Sequence, residues 1–485
     1  MFLKQKSASP NHNTAKSRGM SLSRRDVLQI GSLSLFGGMS LPRLLQAANG
    51  RDTYEPPKAK SVILFNMLGG PSHQDMFDMK PEAPVEIRGE FQPIDTSLAG
   101  LQICEHMPRI SRLMHRGTLI RSVTHGYNAH NPLNIMTGFS LGPPGQLRSE
   151  PTDPPDVGAI CQYLKLGPPD MPGSVCMPCY PGWGESSMYP GIQRPGPYGG
   201  FLGSQYDPLF TVCEPTFAYK PQDPYYEPVW PYGEPLLPKV ASESSLTTDQ
   251  ILLRRSILDR MDESFEASRK SGSIDRMEHF QERAFSMLTS SKVRDAFDLS
   301  LEADSMRDGY GRNLFGSCML AARRLVETGV PYISIHAENF IPYGYTYDMH
   351  SKNFAMLKNY NLPVLDQMLP TLIEDLEQRG LLATTVIMVM GEMGRSPRVN
   401  SSAGRDHWPQ CGFSLLFGGG IKEGMVYGKS DKQAAYPIEN PTSPADIVST
   451  IYHLLGIDPH TMVPDSLGRP ISISHGGHVL WDILA

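Results

Sequence analysis

Apolar residues in this chain form unbroken runs in some places and fall at three- and four-residue spacing in others, and the two patterns alternate. Ser61 to Leu68 is a continuous apolar run closing on Gly69-Gly70-Pro71, which predicts a buried strand feeding a turn. Val330 to His336, Thr384 to Met390 and Gly412 to Phe417 predict three more buried strands; Gly391-Glu392 follows one and Gly418 to Gly420 another. Asn313 to Glu327 and Asn361 to Arg379 carry helical spacing, the second stopped by Gly380. Buried strands separated by amphipathic helices predict an α/β fold, a mostly parallel central sheet with helices on both faces. Such sheets gather their functional groups at the carboxyl ends of the strands. Gly69 to Asp78, His336 to His350 and Gly391 to Arg395 are therefore expected at one edge.

The pattern breaks in three places. From 142 to 239 the chain is dense in Pro, Gly and Tyr, which predicts an irregular but ordered insertion able to roof a cleft. From 247 to 305 it turns charged and helical, a second insertion on the outside. At the start, Arg24-Arg25 precede a short apolar stretch from Val27 to Leu45, with small residues at Ala47-Ala48. That order matches a twin-arginine export signal over residues 1–48 and predicts a periplasmic or extracellular protein. Residues 49–485 are then a single domain.

Composition narrows the partners. Charged residues are 19% of the chain and the formal net charge is -6, so the basic surface that nucleic acid requires is lacking. No other segment reaches transmembrane length, so no stable membrane anchor is expected after signal cleavage. The seven cysteines do not form a disulfide-rich pattern. The close pair Cys176 and Cys179 reads as a loop disulfide or two thiols before it reads as half a zinc site.

Five clusters could carry chemistry: Pro71 to Asp78, Thr124 to Asn131, Tyr347 to His350, Gly391 to Arg395 and Gly404 to Trp408. Imidazoles and carboxylates hold divalent metals, and a guanidinium grips paired anionic oxygens. Glu392 is the best placed, a carboxylate directly after a buried strand. Asp348 and His350 fall on one side of an extended segment, where a plain hydrogen-bonded pair would serve equally well.

Taken together the strings LGGPSHQDMFDMKP, YGRNLFGSCMLAARRLVETGVPYISI, YDMHSKNF, GEMGRSP and GRDHW resemble the DUF1501 family, from about Ser61 to the C-terminus. That family looks like a branch of the alkaline phosphatase and sulfatase superfamily. The segments Pro441 to Thr450, Leu455 to Ile457 and Gly468 to Pro470 resemble the tail of sulfatases. The resemblance implies a metal-supported anion site on an alkaline phosphatase/sulfatase-like fold, binding zinc, calcium or manganese. Asp348, His350, Glu392 and His407, with Asp75 substituting for a first-strand Asp, would be ligands; Arg395 would clamp the anion, His130 would be acid or base, and Thr124 is a nearby hydroxyl. The chain departs from the superfamily pattern at the first-strand end, at the strand-terminal motif and at the nucleophile. Asn66, Met67 and Leu68 occupy the stretch where the first strand usually ends in Asp, Met393 follows Glu392 where a His is usual, and Asn128 stands at the nucleophile position with Pro132 at that of its arginine. The expected activity is hydrolysis of sulfate or phosphate esters, with an anionic small molecule or polysaccharide ester as partner. The alternative is a catalytically altered carbohydrate- or protein-binding protein of the same fold, using its aromatic loops.

Overall fold

The computed structural model describes residues 56–140, 146–182, 192–223, 226–238, 290–338, 340 and 347–485. The twin-arginine segment and residues 247–289 of the charged helical stretch lie outside them. The scaffold is an eight-stranded sheet. Its strands are β1 (Ser61–Asn66), β2 (Gly117–Val123), β3 (Ser174–Met177), β4 (Leu209–Phe210), β5 (Tyr332–His336), β6 (Thr385–Met390), β9 (Gly412–Phe417) and β10 (Met425–Tyr427). A separate two-residue ladder, β7 (Gly394–Arg395) with β8 (His407–Trp408), lies between β6 and β9 in the chain. Across the sheet the order is β10-β2-β9-β6-β1-β5-β3-β4.

Five of the seven pairings are parallel; only β9 runs against its neighbours β6 and β2. The α/β fold with a mostly parallel mixed sheet is thus the one the apolar runs predict. All four predicted strands are present, each fully buried along its length. Alternate residues of a strand face opposite sides, and the core divides accordingly. Ile63, Phe65, Ile333, Ile335, Ile387 and Val389 pack under α3 (Leu314–Glu327) and α4 (Leu362–Gln378). Val62, Leu64, Val386 and Met388 pack under α1 (Leu133–Thr137), α2 (Val157–Tyr163) and α5 (Pro444–Leu454). Helices therefore cover both faces.

Local chemistry fixes where these helices start. Asn313 Oδ1 accepts from the Phe315 and Gly316 N–H groups, an N-cap that starts α3. A reciprocal Ser443/Asp446 capping box starts α5. The Pro/Gly/Tyr-rich stretch contributes more than loops: α2, β3 and β4 all come from it, and the two strands extend the main sheet. Its later part lies against the His350 segment, through Lys352 Nζ on Asp223 Oδ2 at 2.8 Å and Trp230 Nε1–H donating to the Asn359 carbonyl at 3.3 Å. The described end of the charged stretch is helical at Ser291–Phe297 and Asp304–Tyr310.

Candidate metal centre

β1, β2, β5 and β6 point the same way, so their carboxyl ends share one edge. β1 leads into Gly69-Gly70, β2 into the loop carrying Asn128 and His130, β5 toward Asp348 and His350, and β6 directly into Glu392. The β7–β8 ladder adds Arg395 and His407, which are register partners. Gly69 lets these loops close. Its φ is +105° and a Cβ there would lie 2.2 Å from the Asp348 backbone nitrogen.

His130, Asp348, His350 and His407 each offer a ligand atom within 4.8 Å of the others. Asp348 Oδ1 is the hub: the Nε2 atoms of His350, His130 and His407 stand 3.1, 3.2 and 3.7 Å from it. The outer nitrogen of every ring is also engaged. Nδ1 of His130 faces Glu392 Oε1 at 2.9 Å, that of His350 faces Asp406 Oδ1 at 2.8 Å, and that of His407 faces Asn128 Oδ1 at 2.9 Å. All three outer partners are oxygens, so each Nδ1 must carry a proton and donate it. In a neutral ring that leaves the Nε2 lone pair turned inward.

Two protonation patterns satisfy such an arrangement, imidazolium rings around Asp348 or neutral rings around a cation. Contacts to Asp348 raise the His350 pKa; for His130, burial lowers it but Asp348 and Glu392 outweigh burial. Burial lowers that of His407. Although burial alone would raise the pKa of Asp348, the three imidazoles hold it far below the usual carboxylate range. The Nε2 atoms of His130 and His407 are buried and make no hydrogen bond. Two buried ring nitrogens turned onto one carboxylate oxygen without a directed hydrogen bond fit a cation.

The other site residues named from sequence fall around this group. Glu392, 0% exposed, reaches the outer nitrogen of His130 and the Gly69 N–H, and its carboxylate is not among the four inner groups. Arg395, 1% exposed, donates Nε–H to the Gly70 carbonyl at 3.0 Å and Nη1–H to the Arg405 carbonyl at 3.0 Å. Its Nη2 bonds the Gly69 carbonyl and, at 2.6 Å, Asp348 Oδ1. Four donations into the protein leave little of this guanidinium for an external anion. Asp75 is held by Arg405 through two 2.7 Å bonds, both side chains fully buried, and takes Asn353 Nδ2–H at 2.8 Å. Thr124 follows β2 and bonds Thr442 through its backbone N–H; no hydrogen bond joins its hydroxyl to the cluster among the described residues. Cys176 and Cys179 are free buried thiols, as are the other five. What the sequence did not indicate is the outer layer of Asn128, Glu392 and Asp406, because residues 56 to 279 positions apart meet there.

The family profile described as "Protein of unknown function (DUF1501)" matches residues 59–484. The chain belongs to the DUF1501 family. No curated protein matches this DUF1501 chain. Solved structures similar to it include the PsFucS1 sulfatase from Pseudoalteromonas sp., at 13% identity over 86% of this chain and 70% of that one, with a TM-score of 0.36. The phosphonate monoester hydrolase SpPMH from Silicibacter pomeroyi is 11% identical over 88% and 76%, with a TM-score of 0.32. The lipoteichoic acid synthase LtaP from Listeria monocytogenes is 8% identical over 90% and 81%, with a TM-score of 0.34.

Proposed function

We propose that this DUF1501 protein is an exported, metal-dependent hydrolase of sulfate or phosphate esters, with His130, Asp348, His350 and His407 holding the metal. One observation carries the reading: three imidazoles, each fixed through Nδ1 by an oxygen acceptor, turn their Nε2 atoms onto one carboxylate oxygen. Outer-shell partners of this kind set the tautomer and raise ligand basicity. The nitrogen-rich set suits zinc or manganese; calcium asks for six to eight oxygen ligands. Formal charge supports a divalent ion. Asp348, Glu392 and Asp406 against the guanidinium of Arg395 leave two negative charges, which such an ion would cancel.

Bound there, a divalent cation would supply Lewis-acid polarisation of an ester oxygen. The protein's own groups do the positioning. Arg395 braces the Gly69-Gly70 turn and neutralises part of Asp348, Glu392 fixes His130 from the buried side, and His350 with Asp406 borders solvent. The ester class comes from the motif resemblance in the sequence, and export from the twin-arginine pattern before residue 49.

Metal analysis of protein purified after native export tests the centre, followed by aryl sulfates, phosphate monoesters and phosphate diesters offered to wild type and His407→Ala. Stoichiometric zinc or manganese, with turnover of one ester class lost in the variant, is the expected result. No metal after export and reconstitution removes the proposal. Metal uptake with anion binding but no turnover of any ester would replace it by the binding-protein alternative.

A further inference from the structure

The three outer acceptors of the cluster are not equivalent. Glu392 and Asp406 are carboxylates, whereas the acceptor behind His407 is the neutral amide of Asn128. Asn128 is exposed and Glu392 is fully buried, so the amide stands on the solvent side from which a ligand would approach. Its Oδ1 lies 2.9 Å from His407 Nδ1, and the far nitrogen of that ring is buried, without a hydrogen bond, 3.7 Å from Asp348 Oδ1.

We infer that Asn128 is a positioning and charge-setting residue, holding His407 in the tautomer that presents Nε2 to a metal while adding no negative charge on the face where an anion arrives. The inference rests on the proposed metal centre and gives a role to a position where the superfamily pattern would put a nucleophile. Two requirements meet there. An acceptor is needed, because without one the ring can turn or move its proton to Nε2 and stop ligating. A carboxylate would meet that need but, added to the four charged groups around the site, would leave three net negative charges, one more than a divalent cation cancels. An amide satisfies both.

The test separates acceptor from charge by titrating zinc, and in parallel manganese, into apo wild type, Asn128→Ala and Asn128→Asp, then titrating inorganic phosphate into each metal-loaded form. Asn128→Ala is expected to lose roughly 10- to 100-fold in metal affinity, the usual effect of removing an outer-shell partner. Asn128→Asp is expected to bind metal at least as tightly as wild type but phosphate about tenfold more weakly, the scale of one added charge several ångströms away near the surface. A merely structural asparagine would not be rescued for metal by aspartate while losing anion affinity. Wild-type metal affinity in Asn128→Ala, no rescue by Asn128→Asp, or unchanged phosphate affinity in Asn128→Asp overturns this inference and leaves the centre standing. Failure of wild type to take up either metal overturns both.

Discussion

Glu392 Oε1 lies 2.8 Å from the Gly69 nitrogen and 2.9 Å from His130 Nδ1, so one buried carboxylate oxygen joins the turn after β1 to the ring entering from β2. The residue itself follows β6, two positions beyond Met390. Three strand ends are therefore registered at one atom. Glu392→Gln keeps an acceptor oxygen but loses the charge, and metal affinity should fall about 10-fold or more, toward the lower end for an outer-shell change. Glu392→Ala leaves the Gly69 N–H and His130 Nδ1 without this acceptor and should also destabilise the apo protein by about 1–3 kcal/mol. Calorimetric metal titration and chemical unfolding of the apo forms check the two effects separately.

Asp75 and Arg405 form a bidentate pair with both side chains at 0% exposure. Asp75 was one of the ligands expected from sequence, and the two roles have opposite signatures. If the carboxylate serves the fold, Asp75→Asn should lower stability by roughly 3–5 kcal/mol, since it strands a buried guanidinium. Metal affinity of the folded fraction should then stay within about twofold of wild type. A large drop in affinity with little change in stability would instead make Asp75 a ligand.

Saturating metal should raise the melting temperature, because it binds the assembled cluster and not the unfolded chain. At one hundred times the dissociation constant the gain is about 2.7 kcal/mol. Asp348→Ala removes the hub and should abolish that increment. Arg395 keeps the carbonyls of Gly69, Gly70 and Arg405 in this variant, so the apo fold should survive the change. Differential scanning with and without chelator reads both outcomes.

The fold was legible from sequence because its central strands are buried on both faces, and a run such as Thr385–Met390 has no polar position to disguise it. β2 was missed for the opposite reason: Arg121 and Ser122 interrupt its apolar run, yet Leu119 and Ile120 are completely buried. β3 was hidden among prolines and glycines. At the site, sequence singled out Asp348, His350 and His407, which the fold brings together, but a strand-end position fixes only the edge and not the direction of a side chain. Glu392 therefore read as a ligand and His130 as an acid or base, whereas in the fold His130 Nε2 faces the hub and Glu392 stands behind it. No local spacing encodes that inversion.

Acid should unfold the protein through buried neutral histidines. His336 accepts the Asn66 amide N–H at its Nδ1, 3.0 Å away, and burial lowers its pKa from 6.5 to about 3. Burial likewise lowers that of His73 to about 4, with Asp78 opposing. Above pH 6.5 both rings are neutral folded or unfolded, and their contribution is fully present. As pH falls below 6.5 the unfolded chain takes up protons that the folded one refuses, so stability drops by about 1.4 kcal/mol per pH unit for each ring. The loss ends near pH 4 for His73 and near pH 3 for His336. Urea unfolding at pH 7.5, 6 and 5 should show the decline, and His336→Gln should make it shallower by about one proton. An equal slope in that variant would mean that His336 is already protonated in the fold.

Gly69→Ala is the sharpest test of how the site is assembled. The position has φ +105°, and the new methyl would meet the Asp348 backbone nitrogen at 2.2 Å, a contact with main chain that no rotamer relieves. Either the turn or Asp348 must move. The same residue's N–H anchors Glu392 at 2.8 Å, so displacement of the turn also loosens the support of His130. Metal affinity should therefore fall further than in Asn128→Ala, which disturbs only one ring. Gly380→Ala is the matched control, since that glycine also has positive φ, +69°, but no atom lies within 4 Å of its added Cβ. It should cost only the strain of a left-handed alanine, about 1–2 kcal/mol, and leave metal affinity unchanged. Equal effects from the two substitutions would show that backbone strain, and not the approach of Gly69 to Asp348, governs the centre.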